Sequence, residues 1–145
     1  MTNRMQFYID GSWVDPVVKK SIPVVNPATE DAMYEVAVGS KADVDNAVAA
    51  ARRAFETFSV TTREERVALL EKIIAVYKTG MKDIGAAVSD EMGARLPMVE
   101  KMQAGAGLGH LSSTLQVLKD YKFEEPIGSA VVVREPVGVI GMITP

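Results

Sequence analysis

The sequence predicts an α/β fold, and three observations carry that prediction. Short apolar runs, broken by turn residues, open the chain. From Ser40 to Leu118 the apolar residues recur at spacings of three and four. A β-branched run of Val137, Val139, Ile140, Met142 and Ile143 comes last. Strands, then a helical block, then a strand buried on both faces is the order of a mixed fold whose parallel sheet has only just begun.

The first element reads as a hairpin. Phe7, Ile9, Trp13 and Val14 flank Asp10-Gly11, a dipeptide that accepts the left-handed conformation of a tight turn. A second strand pair follows in "SIPVVNPATEDAMYEVAVG". Its turn is expected at Asn26-Pro27, because proline presets φ and keeps the preceding residue out of the helical region. Its return strand is expected through Met33–Val38.

Ser40 followed by Asp43 has the form of a capping box with an acid at the third position. Val44, Ala47, Val48, Ala51, Ala54, Phe55 and Phe58 then define an amphipathic, alanine-rich helix face. Thr61 or Thr62 caps a second helix, with Glu64 or Glu65 three residues on. Leu69, Leu70, Ile73, Ile74 and Tyr77 form its inner face, and Gly80 is expected to end it. A third helix is expected over Met81–Glu91, stopped by Gly93. A fourth starts near Pro97 and carries Met102, Leu108, Leu111, Leu115 and Leu118. A turn at Ile127-Gly128 and a strand at Ala130–Val133 complete the series.

Composition narrows the function classes. With 48% hydrophobic and 24% charged residues the chain is globular, and 145 residues suffice for a core. The net charge of -3 carries no basic stripe, which a nucleic-acid partner requires. No apolar run approaches the roughly 20 residues of a membrane span. The N-terminus lacks the apolar stretch of a secretory signal, so a cytoplasmic location is the default expectation. The absence of cysteine excludes a thiolate nucleophile and cysteine-ligated zinc within these residues.

Individual candidates are weak by chemistry alone. Glycines at 105, 107 and 109 in "QAGAGLGH" invite a phosphate-loop reading. The dinucleotide fingerprint needs a preceding strand and a third glycine three residues after the second. Position 110 is His110, and the preceding pattern is helical. The competing reading is a helix whose small residues admit another close-packed element. His110 stands alone, Ser112-Ser113-Thr114 lacks a nucleophile elbow, and Asp90-Glu91 reads as a solvated helix end.

The motifs in order say more. "YIDGSWV" is similar to the opening strand–turn–strand of the aldehyde dehydrogenase superfamily. "VVNPATEDAMYEVAVGSKADVDNAVAAARRAF" resembles its Asn-Pro-x-Thr segment and first alanine-rich helix. "REERVALLEKI" and "DEMGARL" are similar to its next helices, and "EPVGVIGMITP" to the first strand of its nucleotide-binding sheet. The resemblance runs from about Tyr8 to Pro145.

The resemblance implies the N-terminal part of an aldehyde-dehydrogenase-like fold. Its parts are small β-hairpins, about four helices, part of the oligomerisation hairpin and the first strand of the Rossmann-like sheet. Residues 1–120 would belong to the cofactor-binding domain, 121–135 to the oligomerisation hairpin and 136–145 to the first, truncated sheet strand.

The implied activity is oxidation of a small-molecule aldehyde to a carboxylic acid with NAD or NADP. A cysteine thiolate attacks the aldehyde, an asparagine amide stabilises the oxyanion, and hydride leaves for the nicotinamide. A glutamate then activates the hydrolytic water. In the family these groups follow the segment ending in Thr144-Pro145, so this segment alone is expected to be inactive. Ile143, Thr144 and Pro145 are the expected cofactor-binding residues, at the carboxyl end of a strand, beside the adenosine. A monovalent cation is expected between the Val25 carbonyl and Glu91, although "DEMGARLP" departs from the family's common Asn-Gly-Lys-Pro form. "YKFEEPIGSAVVVRE" resembles the protruding oligomerisation hairpin, which implies a homodimer or homotetramer. The competing reading is a short, non-catalytic interaction protein derived from the same family.

Overall fold

The computed structural model describes residues 3–144 and divides into two compact units. The first holds the chain up to Val60 together with 137–144, and the second runs Thr61–Pro136.

In the first unit, β1 (Phe7–Ile9) and β2 (Ser12–Val14) form an antiparallel hairpin in which Tyr8 faces Trp13. Asp10 and Gly11 have φ of 54° and 78°. Positive φ at both central residues is the type I′ requirement, and Asp-Gly meets it with little strain. The Tyr8 and Trp13 rings meet edge-on at 5.3 Å, a cross-strand aromatic pair that supports the hairpin. Arg53 reaches the turn and bonds Asp10 at 2.8 Å.

β3 (Ser21–Val25) and β4 (Ala32–Ala37) form the second hairpin, with a register shift between Val24 and Val25. The connecting loop is built by Asn26. Its side-chain oxygen accepts the Ala28 N–H at 2.8 Å, and its backbone carbonyl accepts the Glu30 N–H at 2.8 Å. This is an Asx turn, with the proline inside it. Arg4 lies over the Tyr34 ring at 3.6 Å.

Helix α1 (Lys41–Phe58) starts at the predicted capping box. The Ser40 hydroxyl accepts the Asp43 N–H, and the Asp43 carboxylate accepts the Ser40 N–H at 2.7 Å. The covered edge of the helix is Asp43, Ala47 and Ala50, while Val44, Val48 and Phe58 are exposed. Only one side of the expected apolar face is therefore packed within the unit.

The second unit begins with α2 (Arg63–Met92), capped by Thr62 in a reciprocal box with Glu65 and ended by Gly93 at φ 70°. The expected break at Gly80 does not occur: the helices anticipated on either side of it are one helix of 30 residues. Gly80 has no positive φ, and a right-handed glycine costs only about 1 kcal/mol against alanine. With helix formers on both sides and no proline nearby, that cost does not stop propagation.

After Gly93 the chain turns into α3 (Leu96–Met98), with Pro97 in its first turn, as expected for a residue lacking an N–H. A π-helical stretch, Val99–Ala104, leads into α4 (Gly105–Asp120). β5 (Glu124–Ile127) and β6 (Ala130–Val133) then form a hairpin across Gly128-Ser129. Gly128, the first central residue of that two-residue turn, has φ 61°, the placement that suits a type II′ turn. Arg134 fastens the hairpin base through Glu125 at 2.7 Å and the Lys122 carbonyl at 3.2 Å.

The stretch expected as a sheet strand over 136–145 makes no ladder among the described residues. The reason is pairing. A strand exists through its neighbours, and the six strands present are already matched as three separate hairpins. Val137, Met142 and Ile143 are 89%, 91% and 96% exposed.

The core is correspondingly thin. Among the described residues, Ala50 is the buried hydrophobic residue of the first unit, and Ile74, Val99, Ala104 and Leu115 are those of the second. The accessible surface is 11073 Å² for 15.6 kDa, about one and a half times the roughly 7,200 Å² expected of a folded monomer of that mass.

Candidate functional site

The residues singled out for cofactor binding lie at the end of the unladdered stretch. Gly138 has φ 119° there, a conformation open to glycine and strained for other residues. Ile143 and Thr144 are both exposed. They present an apolar side chain and one hydroxyl to solvent. Pro145 lies outside the described residues.

The two residues singled out for a cation fall in different units. Val25 is the last residue of β3, beside the register shift, and is exposed. Glu91 lies in the last turn of α2, and its side chain is exposed. Both donors are oxygens, the type that hard cations take. Among the described residues no three His, Asp or Glu side chains gather into a metal cluster.

The structure accounts for the other sequence candidates. Gly105, Gly107 and Gly109 sit inside α4. Gly107 faces the Tyr77 hydroxyl so closely that a Cβ would collide with it. The Tyr77 hydroxyl donates to the Ala104 carbonyl at 3.0 Å. Gly107 is therefore a packing notch for Tyr77 of α2, while a Cβ at Gly109 would meet nothing within 4 Å. The Ser112 hydroxyl donates to the Leu108 carbonyl at 2.8 Å within its own helix. His110 is exposed on α4.

Asp43 has a second role that its sequence position does not announce. Besides capping α1, its carboxylate accepts the Ser40 hydroxyl at 2.7 Å and the Val17 N–H at 2.9 Å. The Ser40 hydroxyl and the backbone N–H donors of Val17 and Ser40 hold its pKa below the ordinary aspartate value. No signal in the sequence pairs residue 17 with residue 43, because the contact is made only when the loop after β2 folds back on α1.

Two open apolar grooves lie among the described residues. A groove of about 490 Å³ runs along α2 past Ile73, Val76, Gly80 and Ile84. A second, of about 420 Å³, lies between β1 and α1, past Phe7, Ile9 and Val44. Lys72 and Tyr77 also line the first groove, and Tyr8 and Asp43 the second. Among the described residues no helix is long and apolar enough to cross a membrane.

Comparison with known proteins agrees with the order of these elements. The family described as the aldehyde dehydrogenase family matches over residues 13–145. A 3-succinoylsemialdehyde-pyridine dehydrogenase of a Pseudomonas species is 44% identical over all of this chain, which spans 31% of that relative. Aldehyde dehydrogenase C of Pseudomonas syringae, solved with NAD+ and octanal, superposes with a TM-score of 0.90 at 39% identity. That match covers 93% of this chain and 28% of the other. A Mycobacterium tuberculosis aldehyde dehydrogenase complexed with NAD+ gives a TM-score of 0.83 at 28% identity, covering 92% of this chain and 29% of that one. The chain thus spans about a third of the length of the relatives it matches. With the hairpins, capped helices and glycine notch in one order across its length, this chain belongs to the aldehyde dehydrogenase family.

Proposed function

We propose that this chain is the N-terminal framing part of an NAD(P)-dependent enzyme that oxidises an aldehyde to a carboxylic acid. The observation that carries the reading is the full-length match to a dehydrogenase three times longer. The thin core and the unladdered apolar stretch support it, because both leave surface that the remaining two-thirds of such a fold would cover.

In this reading Ile143, Thr144 and Pro145 flank the adenosine of NAD+ or NADP+, which supplies the hydride acceptor when bound. The Val25 carbonyl and the Glu91 carboxylate hold a monovalent cation. The cysteine, glutamate and asparagine of the reaction lie in the part of the family fold that this chain does not span. The chain by itself is then inactive. The β5–β6 hairpin serves oligomerisation in a homodimer or homotetramer. The semialdehyde of the Pseudomonas relative carries a pyridine, and the Pseudomonas syringae enzyme was solved with octanal; the two share an aldehyde carbon and little else, so the reading commits to an aldehyde and not to one compound.

The test is the intact mass of the protein in its native cells, together with aldehyde-dependent NAD(P)+ reduction by the purified native material. The expected result is a polypeptide about three times longer that reduces the cofactor, while isolated 1–145 does not. A native mass of 15.6 kDa without activity would overturn the reading and favour the interaction protein, which the exposed apolar faces also suit.

A further inference from the structure

The π-wound stretch Val99–Ala104 has no part in the function proposed above. Its two end residues, Val99 and Ala104, are 0% and 1% exposed, the most buried hydrophobic residues of the chain. They are five residues apart. In an α-helix, at 3.6 residues per turn, positions five apart differ by about 140° around the axis. Ordinary winding would therefore turn one of them away from α2. A π-helix closes i→i+5 hydrogen bonds, which brings residues five apart back to one face.

Contacts from α2 hold this winding at both ends. Near Val99, Gly85 leaves room for Glu100: a Cβ at Gly85 would lie 2.9 Å from the Glu100 Cγ. At the other end the Tyr77 hydroxyl bonds the Ala104 carbonyl at 3.0 Å, and Gly107, one turn further on, admits the ring. Lys101, Met102 and Gln103 between them are exposed. The arrangement is that of an α-helix carrying one residue too many, with the surplus looped toward solvent. Without one of those three residues, Val99 and Ala104 would stand four apart, about 40° from each other in α-winding.

We propose that Val99–Ala104 is a two-state register device latched by the Tyr77 hydroxyl. In the latched state the surplus residue is held in the π turn, and α4 keeps Leu115 buried. In the released state the segment winds as α-helix, and α4 turns by about 100° relative to α3, one residue's worth of rotation. The device sets the orientation of α4, independently of whether the protein oxidises aldehydes.

Hydrogen exchange on the protein at its native length tests this with two variants. Tyr77→Phe keeps the ring and removes the latch. Its amides over 99–108 are expected to exchange about five-fold faster, from the roughly 1 kcal/mol of one hydrogen bond, with those of α1 unchanged. Deletion of Lys101 removes the surplus. That variant is expected to fold, to exchange more slowly over 99–108, and to lose its sensitivity to Tyr77→Phe. Deletion of Gln116, an exposed residue of α4 outside the π turn, is the control expected to disrupt packing. Unchanged exchange in Tyr77→Phe, or a Lys101 deletion as damaging as the Gln116 deletion, would overturn the proposal.

Discussion

Tyr77 and Gly107 are complementary to within one carbon atom. The tyrosine hydroxyl occupies the space where a side chain at position 107 would begin, and from there it donates to the Ala104 carbonyl at 3.0 Å. Helix propensity and tertiary packing therefore make opposite demands on residue 107. Gly107→Ala gains about 1 kcal/mol of intrinsic helix preference. It also forces the ring off its hydrogen bond and overpacks the α2–α4 contact, a cost of roughly 1–3 kcal/mol. The expected net result is a lower urea midpoint. Gly109→Ala, which meets nothing within 4 Å, is expected to raise the midpoint. Equal behaviour of the two variants would show that the notch does not matter.

Capping separates two adjacent threonines that the sequence leaves as alternatives. The Thr62 hydroxyl accepts the Glu65 N–H at 3.1 Å, while the Thr61 hydroxyl accepts from Arg66 Nε at 2.8 Å. Thr62→Ala is expected to cost about 1 kcal/mol in equilibrium denaturation. Thr61→Ala removes a part-buried side-chain contact and leaves the helix cap intact, so its cost is expected to be the smaller of the two.

Asp43 ties stability to pH at the acid end. Its folded pKa is depressed, because the carboxylate accepts the Ser40 hydroxyl and the Val17 and Ser40 N–H groups. A depressed acid stabilises the fold above its unfolded pKa and loses that contribution as pH falls through the folded one. The loss therefore lies below about pH 4, the ordinary aspartate range. Asp43→Asn is expected to lower stability at neutral pH and to flatten the decline below pH 4, read from denaturation midpoints over pH 2–7. A parallel decline in both proteins would remove Asp43 from this role.

Glu30 holds φ at 64° in the β3–β4 loop, where its N–H bonds the Asn26 carbonyl. A residue with a Cβ is strained there by about 1 kcal/mol. Glu30→Gly is expected to raise the midpoint slightly, because relief of strain exceeds the added flexibility of the unfolded chain. A lowered midpoint would mean that the side chain contributes contacts of its own.

The β6 edge presents Val131, Val132 and Val133 to solvent, and an exposed, apolar edge strand is a template for pairing. Val132→Lys is expected to lower the association state of the native-length protein in sedimentation velocity. An unchanged distribution would place any interface elsewhere.

Local chemistry made much of this structure legible in advance. Asp10-Gly11, Ser40 with Asp43, and Gly93 each carry their conformation within a few neighbouring residues, and each appears in its expected turn or cap. Gly80 misled because a glycine ends a helix only when it adopts the left-handed conformation, and local sequence does not say whether it will. The residues proposed for the cofactor and the cation rest on resemblance alone. Their chemistry depends on groups brought together across the fold, and no local pattern encodes that.

The sequence by itself determined the hairpins, the helix caps and the order of strand pairs and helical block, because turn residues, caps and apolar periodicity act over three or four positions. Only the tertiary structure decided that Gly107 is a notch for Tyr77, that Asp43 gathers the Val17 loop, and that the chain winds as a π turn between Val99 and Ala104. The physical reason is the same in each case. These are contacts between residues 15 to 30 positions apart, or a winding imposed by such contacts, and their energies exist only once two elements have met.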